Sequence, residues 1–305
     1  MSNTAPNTAP NADSAQAPNS VVDPTRRDFV RAAVGTGFAA AVLPVTAQTV
    51  RTDSAGLIAG EVTIPVGDFQ LPAYRAMPAG TTAAGAARLP VVLVVSEIFG
   101  VHEHIADVAR RFARLGYLAI APEMFVRQGD AQAYGEVSKL ISEVINKVPD
   151  AQVMADLDAC VAWAGTNGGD SARLAVTGFC WGGRITWMYS AHNPAVKAGV
   201  AWYGQLIGVP SAFKPTNPID RVEQLHAPVL GLYGGQDTGI PLAAVEQMKA
   251  ALATAARPAA QQSHFVVYPD APHAFHADYR PSFRKDAAED GWQRCVAWLK
   301  AHGVA

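Results

Sequence analysis

The chain has 305 residues, 24 basic against 26 acidic side chains, a formal charge of −2, and half of its residues are hydrophobic. The near-balance of charge argues against a nucleic-acid-binding protein, which needs a basic excess to neutralise phosphates, and the apolar content excludes global disorder. No stretch reaches the ~18 consecutive apolar residues of a transmembrane helix.

The first fifty residues have the composition of a targeting segment. Residues 1–24 are rich in Asn, Ala, Pro and Ser, and such a segment cannot bury enough apolar surface to offset its ordering entropy. A charged stretch at 25–31, a mild apolar run at 32–43 and the small residues Val45-Thr46-Ala47 follow. A charged start, a short apolar stretch and a small-residue end are the three parts of a secretory signal.

The charged stretch resembles a twin-arginine signal, because Arg26 and Arg27 are adjacent and Phe29 follows two positions on. We therefore predict a disordered N-terminus and signal peptide over 1–47, read by the twin-arginine export machinery through the two arginines. Residues 48–305 then form one exported domain, periplasmic or secreted, with no stable membrane span after processing. A short membrane anchor, or a chance basic patch in a flexible tail, is the alternative.

The mature chain begins with a hairpin-like pattern and a buried strand. Two short strands are predicted at 61–66 and 71–77, separated by Gly67-Asp68. Pro72 weakens the second strand or places it on a sheet edge. The β-branched run Val91–Val95 lacks alternation, which favours a strand covered on both faces, as in a parallel sheet between helices.

Strands and helices then alternate. Predicted helices cover 106–115, 153–164, 182–191, 242–256 and 284–301, and predicted strands cover 117–121, 173–177, 198–203, 229–233 and 264–268. This alternation predicts an α/β fold with a mostly parallel, doubly wound sheet flanked by helices. The proline-containing stretch 205–226 is predicted to run over the sheet edge or mouth.

The most informative motif is Gly178-Phe179-Cys180-Trp181-Gly182, which joins an apolar strand to a helix. It matches the nucleophile elbow with cysteine in place of serine, where glycines allow close approach of the neighbouring strand and helix. The helix N-terminus behind Cys180 favours a thiolate. A structural cysteine on a glycine-rich turn is the alternative; a phosphate loop is weaker, since no Gly-x-x-x-x-Gly-Lys pattern is present.

Candidate acid and base residues follow in the order of α/β-hydrolases. Asp237 comes after the strand at 229–233, and His273 comes after the strand at 264–268. His273 would take the proton of the nucleophile or pair with its thiolate, and Asp237 would orient the imidazole. Taken singly, Asp237 could cap the following helix and His273 could be a solvated loop residue.

Four segments together resemble the dienelactone hydrolase family, the carboxymethylenebutenolidases. They are Ser96–Gly100, Gly178–Gly183, Gly235–Asp237 and Pro272–Phe275. The resemblance runs from about residue 60 to 301 and implies an α/β-hydrolase fold and hydrolysis of a lactone or activated enol ester. The family chemistry needs no cofactor, and we predict neither a cofactor nor a metal.

The resemblance implies that Glu97 contacts the cysteine in the resting enzyme and is displaced when substrate binds, after which the thiol is deprotonated. A carboxylate beside a thiol disfavours the thiolate, since like charges repel. A charged strand end facing solvent is the alternative for Glu97. The backbone amides of Ile98 and Trp181 are the predicted oxyanion-hole donors.

Substrate-binding residues are less well defined by the sequence. Arginines bind a substrate carboxylate well, but the position four residues after the catalytic histidine, where the family has an arginine, holds Ala277. Arg280 and Arg127 are the candidate substitutes. Tyr134 and Trp202 could line the pocket or simply pack as aromatic residues.

Two smaller questions stay open at this point. His102 and His104 are predicted to be surface histidines, because no further ligands at metal spacing are visible; His276 and Asp278 are equally ambiguous. Cys160 and Cys295 have core spacing, although a disulfide between them is possible in an oxidising compartment.

The leading hypothesis is a hydrolase that cleaves a lactone or activated ester through a Cys180–His273–Asp237 triad and an acyl-thioester intermediate. Its partner is a small-molecule substrate and not a nucleic acid. The alternatives are an esterase of broader specificity on the same scaffold and a non-catalytic, small-ligand-binding α/β domain.

Overall fold

The computed structural model of the protein describes residues 1–2, 50–81 and 87–305. The predicted signal peptide and its two arginines lie outside these residues, so export stays a prediction. No helix in the described part of the chain is long and apolar enough to cross a membrane. The helices and strands below all lie in the larger of two units, Ala40–Ala305.

An eight-stranded sheet organises the described residues, and most of its strand pairs are parallel. Its spatial order is β1-β2-β4-β3-β5-β6-β7-β8, with antiparallel pairing only at β1/β2 and β2/β4. The strands are β1 Leu57–Val66, β2 Phe69–Pro78, β3 Leu89–Val95, β4 Leu118–Pro122, β5 Gly169–Phe179, β6 Val196–Trp202, β7 Val229–Gly234 and β8 His264–Tyr268. The predicted fold class is confirmed.

Helices connect the parallel strands and cover the sheet, as such crossovers require. They are α1 Glu103–Arg114, α2 Val137–Glu143, α3 Asp150–Thr166, α4 Trp181–His192, α5 Leu242–Thr254, α6 Pro258–Gln262 and α7 Lys285–Ala301. Short 3₁₀ turns lie at Ala131–Ala133, Ile145–Lys147 and Pro218–Gln224.

The sheet separates two apolar layers. Val92 and Val94 of β3 pack into one layer, while Val91, Leu93 and Val95 pack into the other, and all five are fully buried. This two-sided burial explains the continuous apolar run in the sequence. Cys160 and Cys295 are unpaired and belong to opposite layers, so a disulfide between them is ruled out in this fold.

Pro72 does not place its strand at the edge. β1 is the edge strand, and β2 lies between β1 and β4. The proline is tolerated because the pairing of β2 with β4 covers Ala73–Ala76, so Pro72, which has no N–H to donate, sits just beyond that ladder.

The carboxyl ends of the central parallel strands meet at one edge of the sheet. Val95, near the loop that carries Glu97, pairs with Gly178, and Phe179 pairs with Trp202. The loops after β7 and β8 reach the same edge, since Gly234 pairs with Tyr268. In open α/β sheets ligands bind at this edge, so the topology brings the predicted site residues together.

Candidate active site

Cys180 sits on a strained turn between β5 and α4. Its φ angle is +54°, in the left-handed region that residues with a Cβ rarely adopt. A Cβ on Gly178 would lie 2.2 Å from the carbonyl oxygen of Gly182, and one on Gly182 would lie 2.2 Å from that of Val95. Glycine is therefore required at both positions for the strand, the turn and the helix to pack, and the sulfur is presented at the sheet edge.

The predicted oxyanion amides flank this turn. α4 begins at Trp181, so its amide belongs to the first helical turn, whose N–H groups have no partner within the helix and form the positive end of the helix dipole. Ile98 lies three residues after Val95, whose partner Gly178 precedes Cys180 by two. Both amides thus belong to the segments that border the sulfur.

His273 and Asp237 form a hydrogen-bonded pair. Nδ1 of His273 lies 2.7 Å from Oδ2 of Asp237, whose side chain is almost fully buried. The other carboxylate oxygen, Oδ1, accepts hydrogen bonds from the amides of Gly239 at 2.8 Å and Ile240 at 3.0 Å. Asp237 therefore fixes its own loop with one oxygen and the imidazole with the other.

The environment of His273 favours its charged form. Burial alone would lower its pKa, but the hydrogen bonds to Asp237 and Cys180, with the charges of both groups, raise it to about 10. The ring of Tyr203 packs edge-on against the imidazole, with centroids 5.1 Å apart. At neutral pH His273 is consequently an imidazolium placed between a carboxylate and the cysteine.

Glu97 is buried beside this group and not exposed to solvent, which contradicts the alternative interpretation of it as a surface residue. Its Oε2 accepts a hydrogen bond from the Tyr279 hydroxyl at 2.6 Å and one from Arg280 at 3.3 Å. Its Oε1 has no hydrogen-bond partner within the described residues. The described residues therefore show no hydrogen bond between Glu97 and Cys180 in this conformation.

The family model for the dienelactone hydrolase family matches residues 72–303. The chain belongs to this family. A relative from Methylorubrum extorquens, named "Putative carboxymethylenebutenolidase", is 59% identical over 283 residues, covering 92% of this chain and 94% of the relative. An Escherichia coli K12 protein of the same name is 52% identical over 267 residues, covering 88% and 96%.

A crystal structure from Klebsiella pneumoniae, described as a "Putative Dienelactone Hydrolase", shares 53% identity with this dienelactone hydrolase family member and has a TM-score of 0.76. It covers 80% of this chain and 98% of that chain. The predicted family resemblance, the α/β-hydrolase fold and the assignment to the ester-cleaving hydrolases are confirmed by these matches.

Two candidate substrate arginines have different surroundings in this family member. Arg127 makes two hydrogen bonds to the buried Asp156, at 2.6 and 2.8 Å, and stacks on Phe69. Arg280 lies 4.7 Å over the Phe99 ring, pairs with Glu97 and keeps 28% of its side chain exposed. Arg280 is therefore the candidate that lies beside Glu97, while Ala277 is fully buried, and the role of Arg280 in substrate binding stays a prediction.

The two aromatic candidates for the pocket, Trp202 and Tyr134, also have different surroundings. Trp202, predicted as a possible pocket residue, is fully buried against Phe179 and His276, and its indole donates to Thr177 at 3.2 Å. The next residue, Tyr203, has a positive φ of 38° and faces His273 instead. Successive residues at a strand end point in different directions, and the burial of Trp202 favours the packing alternative over the pocket-lining one.

Tyr134 is half-buried and packs beside the core layer that contains Trp181. Its position between β4 and α2 leaves the pocket-lining role a prediction. Tyr203 and Tyr279 are the site residues that sequence reasoning missed. Their only sequence signals are their places next to a strand end and next to Arg280.

His102 and His104 are buried, so the prediction that they are surface residues is wrong. Nδ1 of His104 lies 3.0 Å from the buried carboxylate of Asp278, and its ring packs edge-on against His276. In the part of the chain that the structure describes, no group of three or more His, Cys, Asp and Glu side chains is placed to hold a metal ion. The histidines thus belong to a polar network behind Glu97.

Proposed function

We propose that this protein hydrolyses lactones or activated enol esters through an acyl-thioester on Cys180. The single observation that supports this most is a cysteine on a strained strand-to-helix turn, whose thiol helps to raise the pKa of an imidazole that Asp237 holds at 2.7 Å. Nucleophile, base and orienting carboxylate in this arrangement are the parts of a catalytic triad. The family membership supplies the reaction class.

The first half-reaction forms the thioester. The Cys180 thiolate attacks the carbonyl carbon, and the oxyanion that develops accepts hydrogen bonds from the amides of Trp181 and Ile98. The carbon–oxygen bond of the ester then breaks and the leaving oxygen departs with its electron pair, taking the proton of the His273 imidazolium. An enolate is a better leaving group than an amide nitrogen, so lactones and enol esters are the favoured substrates.

The second half-reaction depends on a change in the basicity of His273. Part of the rise in its pKa comes from the hydrogen bond and negative charge of Cys180. Acylation removes that charge, so the pKa of His273 falls and the now neutral ring can accept a proton from water. The resulting hydroxide attacks the thioester carbon, the carbon–sulfur bond breaks, and the carboxylic acid and thiolate are released.

Intact-mass measurement tests this proposal. Enzyme quenched in acid during turnover of a slow enol ester is expected to carry one added acyl group, which peptide mapping assigns to Cys180. Cys160 and Cys295 serve as internal controls, because both thiols are fully buried. An adduct on another residue, or turnover with no covalent species under single-turnover conditions, would contradict the mechanism.

Arg280 is the proposed contact for an anionic substrate. In Arg280→Met the preference for an anionic lactone over a neutral ester, measured as the ratio of kcat/KM values, is expected to fall about tenfold or more, the loss typical of a charge-assisted hydrogen bond. Using the ratio cancels any effect on Glu97 that both substrates share.

Arg127→Met is the matched control for this variant. It is expected to leave the ratio unchanged while lowering the melting temperature, because it removes the arginine that pairs with the buried Asp156 carboxylate. An unchanged ratio in Arg280→Met would instead favour the esterase of broader specificity.

A further inference from the structure

Behind the proposed catalytic group lies a chain of three hydrogen-bonded side chains. Glu97 can only accept hydrogen bonds as a carboxylate, so the single hydrogen of the Tyr279 hydroxyl points to its Oε2, at 2.6 Å. Nε2 of His102 lies 3.3 Å from the same hydroxyl oxygen and must therefore be the donor there. His102 thus donates a hydrogen bond to Tyr279, and Tyr279 donates one to Glu97.

The protonation states agree with this order. Burial, with His104 and Arg280 nearby, lowers the pKa of His102 well below its usual value, so the ring is neutral. Burial and the charge of Glu97 raise the pKa of Tyr279, which keeps its proton. The donor to Glu97 is consequently a neutral phenol across the working pH range.

The backbone that carries Tyr279 is held firmly. The neighbouring Asp278 is fixed by His104 at 3.0 Å and by the amide of Val50 at 2.9 Å, and Arg111 also contacts it. The phenol is thus presented to Glu97 from a segment with little freedom to move. Glu97 itself is held through one oxygen only, because Oε1 lacks a hydrogen-bond partner within the described residues.

Charged and titratable groups face Glu97 from several elements. They are Tyr279 and Arg280 after β8, His102 before α1, and Tyr203 after β6. Burial, with the charges of Glu97 and Cys180, raises the pKa of Tyr203. Arg280 is the weaker of the two donors to Glu97, at 3.3 Å and partly exposed. The hydroxyl of Tyr279 is therefore the main restraint on where the negative charge of Glu97 lies.

We propose that Tyr279 is a positioning residue that holds Glu97 turned away from Cys180, so that no negative charge opposes formation of the thiolate. This inference rests on the proposed role of Cys180 as nucleophile. Without the phenol, the carboxylate turns to the thiol and accepts a hydrogen bond from its S–H group, which keeps the proton on the sulfur. Tyr279 then sets the fraction of enzyme that carries the reactive thiolate–imidazolium pair.

The test is the pH dependence of Cys180 alkylation by iodoacetamide in Tyr279→Phe. A carboxylate brought next to the thiol is expected to raise the midpoint of that profile by about one pH unit or more. At pH 7 kcat/KM is then expected to fall about tenfold and to recover towards the wild-type value at high pH. A merely structural defect would lower activity at every pH.

Glu97→Gln provides the decisive background, because a neutral amide cannot oppose the thiolate by charge. The double variant Glu97→Gln/Tyr279→Phe is expected to match Glu97→Gln alone. Tyr268→Phe is the matched control, since it removes a phenol that hydrogen-bonds the carboxylate of Asp290 at 2.8 Å away from the sulfur; its profile is expected to match the wild type.

An unshifted midpoint in Tyr279→Phe overturns the proposal, and so does an equal shift in the Glu97→Gln background. Failure of the underlying mechanism looks different. If Cys180 is not the nucleophile, no acyl group is trapped on it in the wild type, whatever the alkylation profiles of the variants.

Discussion

Replacing Cys180 by alanine is expected to reduce kcat/KM for enol esters by about 10⁴-fold or more, because removal of a nucleophile leaves only binding and the oxyanion hole. Activity is measured with an enol ester or a nitrophenyl ester, and folding by circular dichroism. The substitution removes one atom from a half-exposed side chain at a turn, so little loss of stability is expected.

Cys180→Ser separates the chemistry of the nucleophile from its position. A serine hydroxyl is far less acidic than a thiol, so it forms no resting ion pair with His273 and does not supply the negative charge that helps to raise the pKa of His273 in the wild type. The serine variant is therefore expected to be nearly as inactive as the alanine variant.

Cys160→Ala is the matched control for loss of a thiol. This cysteine is fully buried in α3, away from the sheet edge, and the variant is expected to lose stability but keep kcat/KM. Retention of more than a few per cent of activity in Cys180→Ala would exclude the thioester mechanism.

Much of the fold could be predicted because it depends on local patterns. The β-branched run Val91–Val95 and the glycines of the elbow each reflect a constraint that the chain carries within a few residues. Helix α2 was not predicted, since its seven residues are mostly exposed and contribute only Leu140 to the core. β1 begins at Leu57, four residues before its predicted start, in a part with little fully buried surface.

The proximity of the proposed triad residues could be predicted because each follows a strand, and parallel strands bring their carboxyl ends together. The polar network behind Glu97 could not, because its pairings join distant parts of the chain. His104 meets Asp278 across 174 positions, and Tyr279 meets Glu97 across 182. The residues next to His104 in the sequence do not reveal a buried carboxylate 174 positions away, so a surface location was predicted for this histidine.

Asp237→Asn is expected to lower kcat/KM by about 10²- to 10⁴-fold, as loss of the orienting carboxylate does in a triad. The asparagine oxygen can still accept from the amides of Gly239 and Ile240, so the loop is kept. Its amide group then faces Nδ1 of His273, which must become an acceptor, and the proton moves to the nitrogen nearer the sulfur. The variant therefore preserves the geometry of the loop at Asp237 but changes the tautomer and the charge of His273.

The pH dependence of stability gives an independent readout of the same change. In the wild type the folded-state pKa of His273, about 10, lies above its unfolded value near 6.5. The stabilisation from its charged form is therefore fully present below about pH 6.5 and is lost as the pH rises towards 10. Melting temperatures are expected to fall over this window in the wild type and to fall less in Asp237→Asn.

Asp270→Asn controls for the change in net charge. Asp270 is exposed and lies three residues before His273 in the same loop, so its removal alters the long-range field without touching the imidazole. It is expected to reproduce neither the loss of kcat/KM nor the flattened melting profile. If both variants behaved alike, the raised pKa of His273 would have to come from diffuse charge and not from the 2.7 Å hydrogen bond to Asp237, and the triad would lose its orienting member.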